Sequence, residues 1–208
     1  MMKVLIVTGG IGSGKSLVCR MLAHSFDIPV YEADRRVKDL YIEVPSILDD
    51  IEKSLELSLR DISGAFNPRK LADVIFTDSE ALRIVEDIVF PRLKEDFIIW
   101  AEKQGKEVVA FESATVLEKS QFDDFGDLVL MIDAPKELRL TRACSRDGVD
   151  PASIQARMAA QPLMNYMSDG GCCERIDQTI MNDGTEGDLQ RKLTEFIEKY
   201  VLTKMLQV

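Results

Sequence analysis

The stretch "TGGIGSGKS", Thr8 to Ser16, follows the apolar run Val4 to Val7 and precedes Leu17, Val18, Met21 and Leu22, which recur at helical spacing. Lys3 to Thr8 is short, rich in β-branched residues and closed by Gly9 and Gly10, the pattern of a strand buried on both faces. Strands of that kind belong to parallel sheets, whose crossovers are helices. A glycine-rich turn between such a strand and a helix start therefore commits the chain to an α/β architecture from its first residues. Gly9, Gly14, Lys15 and Ser16 also satisfy the spacing G-x-x-x-x-G-K-[ST], in which glycines let successive N–H groups turn inward and the helix adds about half a positive charge at its first turn. Phosphate oxygens are the natural guests.

A nucleoside triphosphate such as ATP, with Mg²⁺, is thus the expected ligand of Gly10, Ile11, Gly12, Ser13, Gly14, Lys15, Ser16 and Leu17. Lys15 supplies a mobile cation for the β and γ phosphates, and the Ser16 hydroxyl suits the metal ion. The plainer alternative is a glycine-rich turn beside an exposed lysine.

Farther along, Ile28 to Tyr31 reads as a second strand, "EVVAFES" (Glu107 to Ser113) as a third, "LVLMID" (Leu128 to Asp133) as a fourth and "QTIMN" (Gln178 to Asn182) as a fifth. Between about Arg36 and Gln104 the pattern is helical, with breaks expected at Pro45, Ser63-Gly64, Asn67-Pro68 and Phe90-Pro91, and with Trp100 on an apolar core face beside Phe97. A charged helical pair, "LRLTRACSRDG" and "DPASIQARMAAQ", is hinged at Gly148 and capped by Asp150 ahead of Pro151. The expected fold is an α/β P-loop three-layer sandwich with a five-stranded parallel sheet, one kinase-sized unit over 1–208. Its core comprises about 1–34, 105–137 and 172–208, with a helical insertion at about 35–104 and a helical lid at about 138–171.

The charge balance bears on partners. With 36 acidic against 26 basic side chains the net charge is -10, which opposes the counterion release that draws proteins to nucleic acid or anionic membrane. Neither is an expected partner, whereas a small anion held by a local cluster of N–H groups is compatible with a distant, screened field. Cys19, Cys144, Cys172 and Cys173 show no C-x-x-C spacing and His24 is the only histidine, so free thiols and no zinc are expected. The first residues are too short for a secretion signal and no stretch reaches membrane-spanning length. The cytosol is the expected compartment, and a monomer or weak homo-oligomer the expected state.

A nucleotide site alone does not separate a kinase from a motor or a switch. No N-K-x-D guanine-reading stretch occurs, and the fifth strand ends in "NDG", Asn182 to Gly184. Arginines on the helical pair favour transfer to a small bound acceptor, because such a cover excludes water. Arg142 and Arg146 lie four apart on one helix face, placed to turn toward a triphosphate, or else to form surface ion pairs with Asp147 or Asp150.

"TGGIGSGKS", "YEAD", "RACSRDG", "IQARMAAQ" and "IMNDG", in this order and spacing, resemble the dephospho-CoA kinases over nearly the whole chain. The resemblance implies phosphorylation of the ribose 3′-hydroxyl of dephospho-CoA by MgATP, the last step of coenzyme A synthesis. It implies Asp34 as the catalytic carboxylate, as a proton acceptor or as a group that orients the hydroxyl and holds Mg²⁺ through water, against the plainer reading of a helix-capping aspartate. It also implies Lys15, Arg142 and Arg146 in catalysis, and Asn182 and Gly184 beside the adenine. Glu32 replaces the first aspartate of the family's Asp-Ala-Asp stretch, "ESATVLE" (Glu112 to Glu118) replaces a Pro-Leu-Leu segment, and Asn67-Pro68 and Phe90 stand where Asp-Arg and His are common. Arg69 is the nearest substitute for the missing arginine. Two rival readings remain: another small-molecule kinase such as a nucleoside monophosphate kinase, and a non-catalytic ATP-binding module.

Overall fold

The computed structural model describes residues 2–205. β1 (Lys3–Thr8), β2 (Val30–Glu32), β3 (Val108–Glu112), β4 (Leu128–Asp133) and β5 (Gln178–Met181) form one five-stranded sheet in the order β2-β3-β1-β4-β5. Every pairing is parallel. β1 and β4 are buried along nearly their whole length, which is why they read as unbroken apolar runs rather than as alternating ones. The chain leaves β1 toward β2 on one side and later returns to β4 on the other. The carboxyl end of β1 therefore lies at the point where strand order reverses, the place where open α/β sheets bind ligands.

Alternation of side chains gives the sheet two different faces. Leu5, Val7, Leu128, Leu130 and Ile132 pack with Val18 and Leu22 of α1 (Lys15–Ser25) and with Leu189, Leu193 and Phe196 of α9 (Glu186–Phe196). On the opposite face Phe111 centres an aromatic group, stacked on Tyr31 at 5.6 Å and edge-on to Phe125 at 4.9 Å. Each fully buried side chain of this size contributes about 1.5–3 kcal/mol, so both faces are firmly covered. α9 starts with a capping box between Thr185 and Asp188, and the chain continues from it as a π-helix, Ile197–Met205.

The chain divides into two units, one made of the residues through Glu32 together with those from Gln104 onward, the other Ala33–Lys103. The second holds α2 (Ala33–Glu43), α3 (Pro45–Leu55), α4 (Pro68–Ile75) and α5 (Ser79–Gln104), the last ending at the unit boundary. Pro45 and Pro68 occupy helix starts, and the Asn67 side chain accepts from Arg69 N–H. The expected break at Phe90-Pro91 does not occur: α5 runs through Pro91. Ala81, Val85, Val89, Leu93, Phe97 and Ala101 are all buried along it, and that continuous stripe outweighs the one backbone bond a proline removes. Trp100 stacks on Phe97 at 6.0 Å but is only half-buried, so it borders the core rather than filling it. β2 begins at Val30, later than Ile28, because Ile28 N–H already donates to Leu22 in closing α1.

α6 (Lys136–Asp147), α7 (Pro151–Ala159) and α8 (Pro162–Ser168) follow β4. Gly148, at φ 64, ends α6, and the Asp150 side chain caps α7 through Ser153 N–H. α8 was not separated in the sequence pattern; its start is marked only by Pro162 and is held by Glu118, which accepts from Leu163 N–H at 3.1 Å.

Candidate active site

The turn from β1 into α1 is tightly drawn. Gly14 caps α1 at φ 102, a conformation that side-chain-bearing residues rarely adopt. Ser13 N–H donates to the Gly10 carbonyl at 3.1 Å, and Leu17 and Val18 N–H groups both reach the Gly14 carbonyl. No side chain caps α1 and no acidic residue stands in its first turn. Its leading N–H groups and dipole are thereby left for an anion. Ser16 presents an exposed hydroxyl on that turn, while Leu17 packs against the core beneath it.

Lys15 Nζ donates to the Gly9 carbonyl at 2.8 Å and lies 3.8 Å from the Glu112 carboxylate, both side chains being largely buried. Glu112 ends β3 in register with Glu32 at the end of β2, so two carboxylates finish neighbouring strands. Their field is felt by Cys19: burial pushes that thiol well above its ordinary range, Glu112 and Glu32 add to the rise, and Lys15 and Arg20 partly offset it. Cys19 is accordingly a protonated core thiol, not a nucleophile.

The other wall of the loop comes from β5 and α6 to α8. Buried Asn182 donates from Nδ2 to the Ser13 carbonyl at 2.8 Å, and Arg142 donates to the Asn182 carbonyl at 3.0 Å. Arg142, Asn182 and the loop are thus one chain of bonds, so Asn182 acts on the loop through its side chain. Gly184 follows it in the turn leading to the Thr185 cap, packed against Asp188. Ile11 N–H donates to the buried Gln161 side chain at 3.0 Å, and Ile11 itself packs on Ala143, Ile154 and Met158. The Ile11 amide is therefore committed to the helical cover.

Arg139, in the first turn of α6, lies closer still. It is 4% exposed, and its Nε stands 3.6 Å from Asp133. A Cβ on Gly10 would fall 2.2 Å from Arg139 Nη1, and one on Gly12, at φ 76, would fall 2.1 Å from the Arg139 carbonyl oxygen, so Gly12 at least must be glycine for this approach. Arg146 takes the arrangement given above as its alternative, a surface ion pair with Asp147. It donates to Asp147 at 2.6 Å, Arg157 donates to the same carboxylate at 2.7 Å, and the pair holds Asp147 far below the usual carboxylate range. The neighbouring carboxylate captured Arg146 because the end of α6 is exposed and the next residue offers a fork-shaped partner.

Asp34 lies in the first turn of α2, in the second unit, with its residue exposed. In the same helix Arg36 is matched by Asp96 and Glu43. Arg69 is exposed beside Pro68, and Phe90 is half-buried in α5. Gln161, Glu112 and Arg139 are the loop neighbours that motif reading left out of the site. Of these, Arg139 had a signal in its spacing, three residues before Arg142 on the same helix.

Comparison with known proteins bears on this site. The family model described as dephospho-CoA kinase matches residues 3–188. A dephospho-CoA kinase of Porphyromonas gingivalis is 34% identical over 176 residues, covering 85% of this chain and 84% of its own. One from Bacteroides fragilis is 36% identical over 181 residues, with 86% and 83% covered. A crystal structure of a Thermus thermophilus protein superposes with a TM-score of 0.79 at 25% identity, over 96% of this chain and 98% of that one. Among the described residues no helix is long and apolar enough to cross a membrane.

Proposed function

Since this chain belongs to the dephospho-CoA kinase family, we propose that it moves the terminal phosphoryl group of ATP to the ribose 3′-hydroxyl of dephospho-CoA, yielding coenzyme A and ADP. The observation that carries the nucleotide half is the uncapped start of α1 with Lys15 folded over the loop. The loop N–H groups hold the β phosphate, and Lys15 leaves the Gly9 carbonyl for a phosphate oxygen, a stronger charge-assisted partner. Arg142, through Asn182, holds the loop and faces the developing charge. Asp34 orients the acceptor hydroxyl or takes its proton as the new bond forms.

The donors present fit Mg²⁺. Ser16 offers a hydroxyl, Glu32 and Glu112 offer carboxylates at adjacent strand ends, and no group of three or more His, Cys, Asp or Glu that could hold a metal occurs among the described residues. That suits an ion bound by one or two protein oxygens plus substrate phosphates and water. Such an ion would be held by the Ser16 hydroxyl with Glu32 or Glu112, and would supply positive charge that eases transfer of the phosphoryl group. The helices α6 to α8, tied to the loop by Gln161 and Ile11, exclude water that would otherwise take the phosphoryl group.

Incubation with MgATP, with and without dephospho-CoA, tests the reading. ADP release that depends on the acceptor, with one phosphoryl group added to it by mass, is the expected result. Equal ATP consumption without acceptor, or preference for AMP or CMP at matched concentration, overturns it.

A further inference from the structure

We propose that Arg139 is a phosphate-binding residue of this site, donating to the polyphosphate of the bound nucleotide beside Lys15; the inference rests on the nucleotide reading of the loop. Its side chain is 5% exposed and its Nε meets only Asp133, at 3.6 Å, beyond hydrogen-bond reach. Among the described residues, the buried side-chain nitrogen and oxygen atoms without a hydrogen-bond partner are Ser13 Oγ, Arg139 Nε and Arg139 Nη1. All three belong to the glycine loop or press against it. Unmatched buried donors are costly and rare in a finished core, so their collection at one anion-shaped turn points to a guest that supplies acceptors.

The chemistry of that guest follows from the group. A guanidinium offers several N–H donors in a fixed fork, which matches phosphate oxygens two at a time. Arg139 Nη1 lies against Gly10, and the Arg139 backbone against Gly12, so the fork is aimed along the segment whose N–H groups form the cradle. Asp133, which also accepts from Ala134 N–H at 2.8 Å, steadies the guanidinium without filling its donors. The other arginines of α6 differ: Arg142 is met by the Asn182 carbonyl and Arg146 by Asp147.

Arg139→Met keeps length and apolar packing while removing the charge, and Arg139→Lys keeps the charge without the fork. Calorimetric titration of the full chain with MgATP, MgADP and AMP, alongside melting curves without nucleotide, separates the possibilities. The expected result is an R139M melting temperature equal to or above that of the wild type. MgATP and MgADP affinity should fall about tenfold to a hundredfold, the scale of a lost hydrogen bond to a charged group. AMP should lose less, and R139K should lie between. Wild-type MgATP affinity in R139M, or a lowered melting temperature with affinity intact, assigns Arg139 to the fold and overturns the proposal. If R139M does not fold, R139K decides, and an unchanged MgATP affinity there overturns it. No MgATP binding by the wild type overturns the nucleotide reading as well, whereas binding that R139M leaves unaltered overturns this inference alone.

Discussion

The two ends of α6 treat their arginines in opposite ways. At its first turn Arg139 is sealed against the glycine loop with donors unmatched, while at its last turn Arg146 is 57% exposed and already answered by Asp147. The helix, the residue type and the charge are the same; burial differs. An exposed guanidinium finds water or a neighbouring carboxylate at little cost, so its pairing says little about function. A buried one must be satisfied by something the fold brings to it, and here the fold brings only part. Motif spacing treats Arg142 and Arg146 alike, whereas packing sets Arg139 and Arg142 against the loop and leaves Arg146 in solvent.

The contrast would break most visibly if the loop end proved dispensable. Lys15→Ala should lower kcat/KM by about 2–4 kcal/mol, the scale of one preorganised charge, with the melting temperature nearly unchanged; steady-state kinetics against dephospho-CoA reads it. Near-wild-type turnover would detach the loop from the chemistry. Asp34→Asn keeps size and polarity but neither accepts a proton nor carries charge, and about 2–3 kcal/mol should be lost from kcat/KM. A rate held within a few fold would leave Asp34 as a helix-start residue of α2 and nothing more.

How much of the fold and site is legible in the sequence depends on the kind of signal. β1, the glycine turn and α1 were plain because each has a local signature: a β-branched run, a fixed glycine spacing, a helical repeat. At Pro91 the sequence predicts a break that α5 does not make, because a local breaker is visible in sequence whereas the buried stripe that overrules it depends on packing. Gln161, Glu112 and Arg139 come from segments roughly 100 to 150 residues away from the loop they touch, and no spacing rule spans a sheet whose neighbours in space are not neighbours in sequence. Asn182 was singled out as an adenine neighbour, yet the bond its side chain makes to Ser13 becomes visible only once β5 is placed beside β4.

That bond supplies the next test. Asn182→Ala removes a buried donor from the Ser13 carbonyl, leaving an unmatched acceptor under the loop, and should cost about 1–3 kcal/mol of stability. Nucleotide affinity should fall with it, since the loop loses the prop that sets its shape. Denaturant unfolding paired with MgATP titration reads both quantities. Loss of stability with affinity untouched would show that the loop keeps its form without β5.

The smallest effect belongs to the far end of α6. Arg146→Ala should leave MgATP affinity within about twofold, because exposed pairs of this kind contribute little. What should change is Asp147. Its carboxyl is held below the ordinary range by Arg146 first and Arg157 second. A depressed folded value means that the stabilisation is present above the unfolded pKa and lost as pH falls through the folded one. In R146A the Asp147 titration, followed by carboxyl NMR, should therefore move upward toward the normal aspartate range, and the stability that Asp147 loses on acidification should be smaller and already fully lost at a higher pH than in the wild type. High salt should shrink that difference, since the pair stands in solvent. A tenfold loss of MgATP affinity in R146A would instead place the exposed arginine on the nucleotide, and burial would no longer tell the two ends of the helix apart.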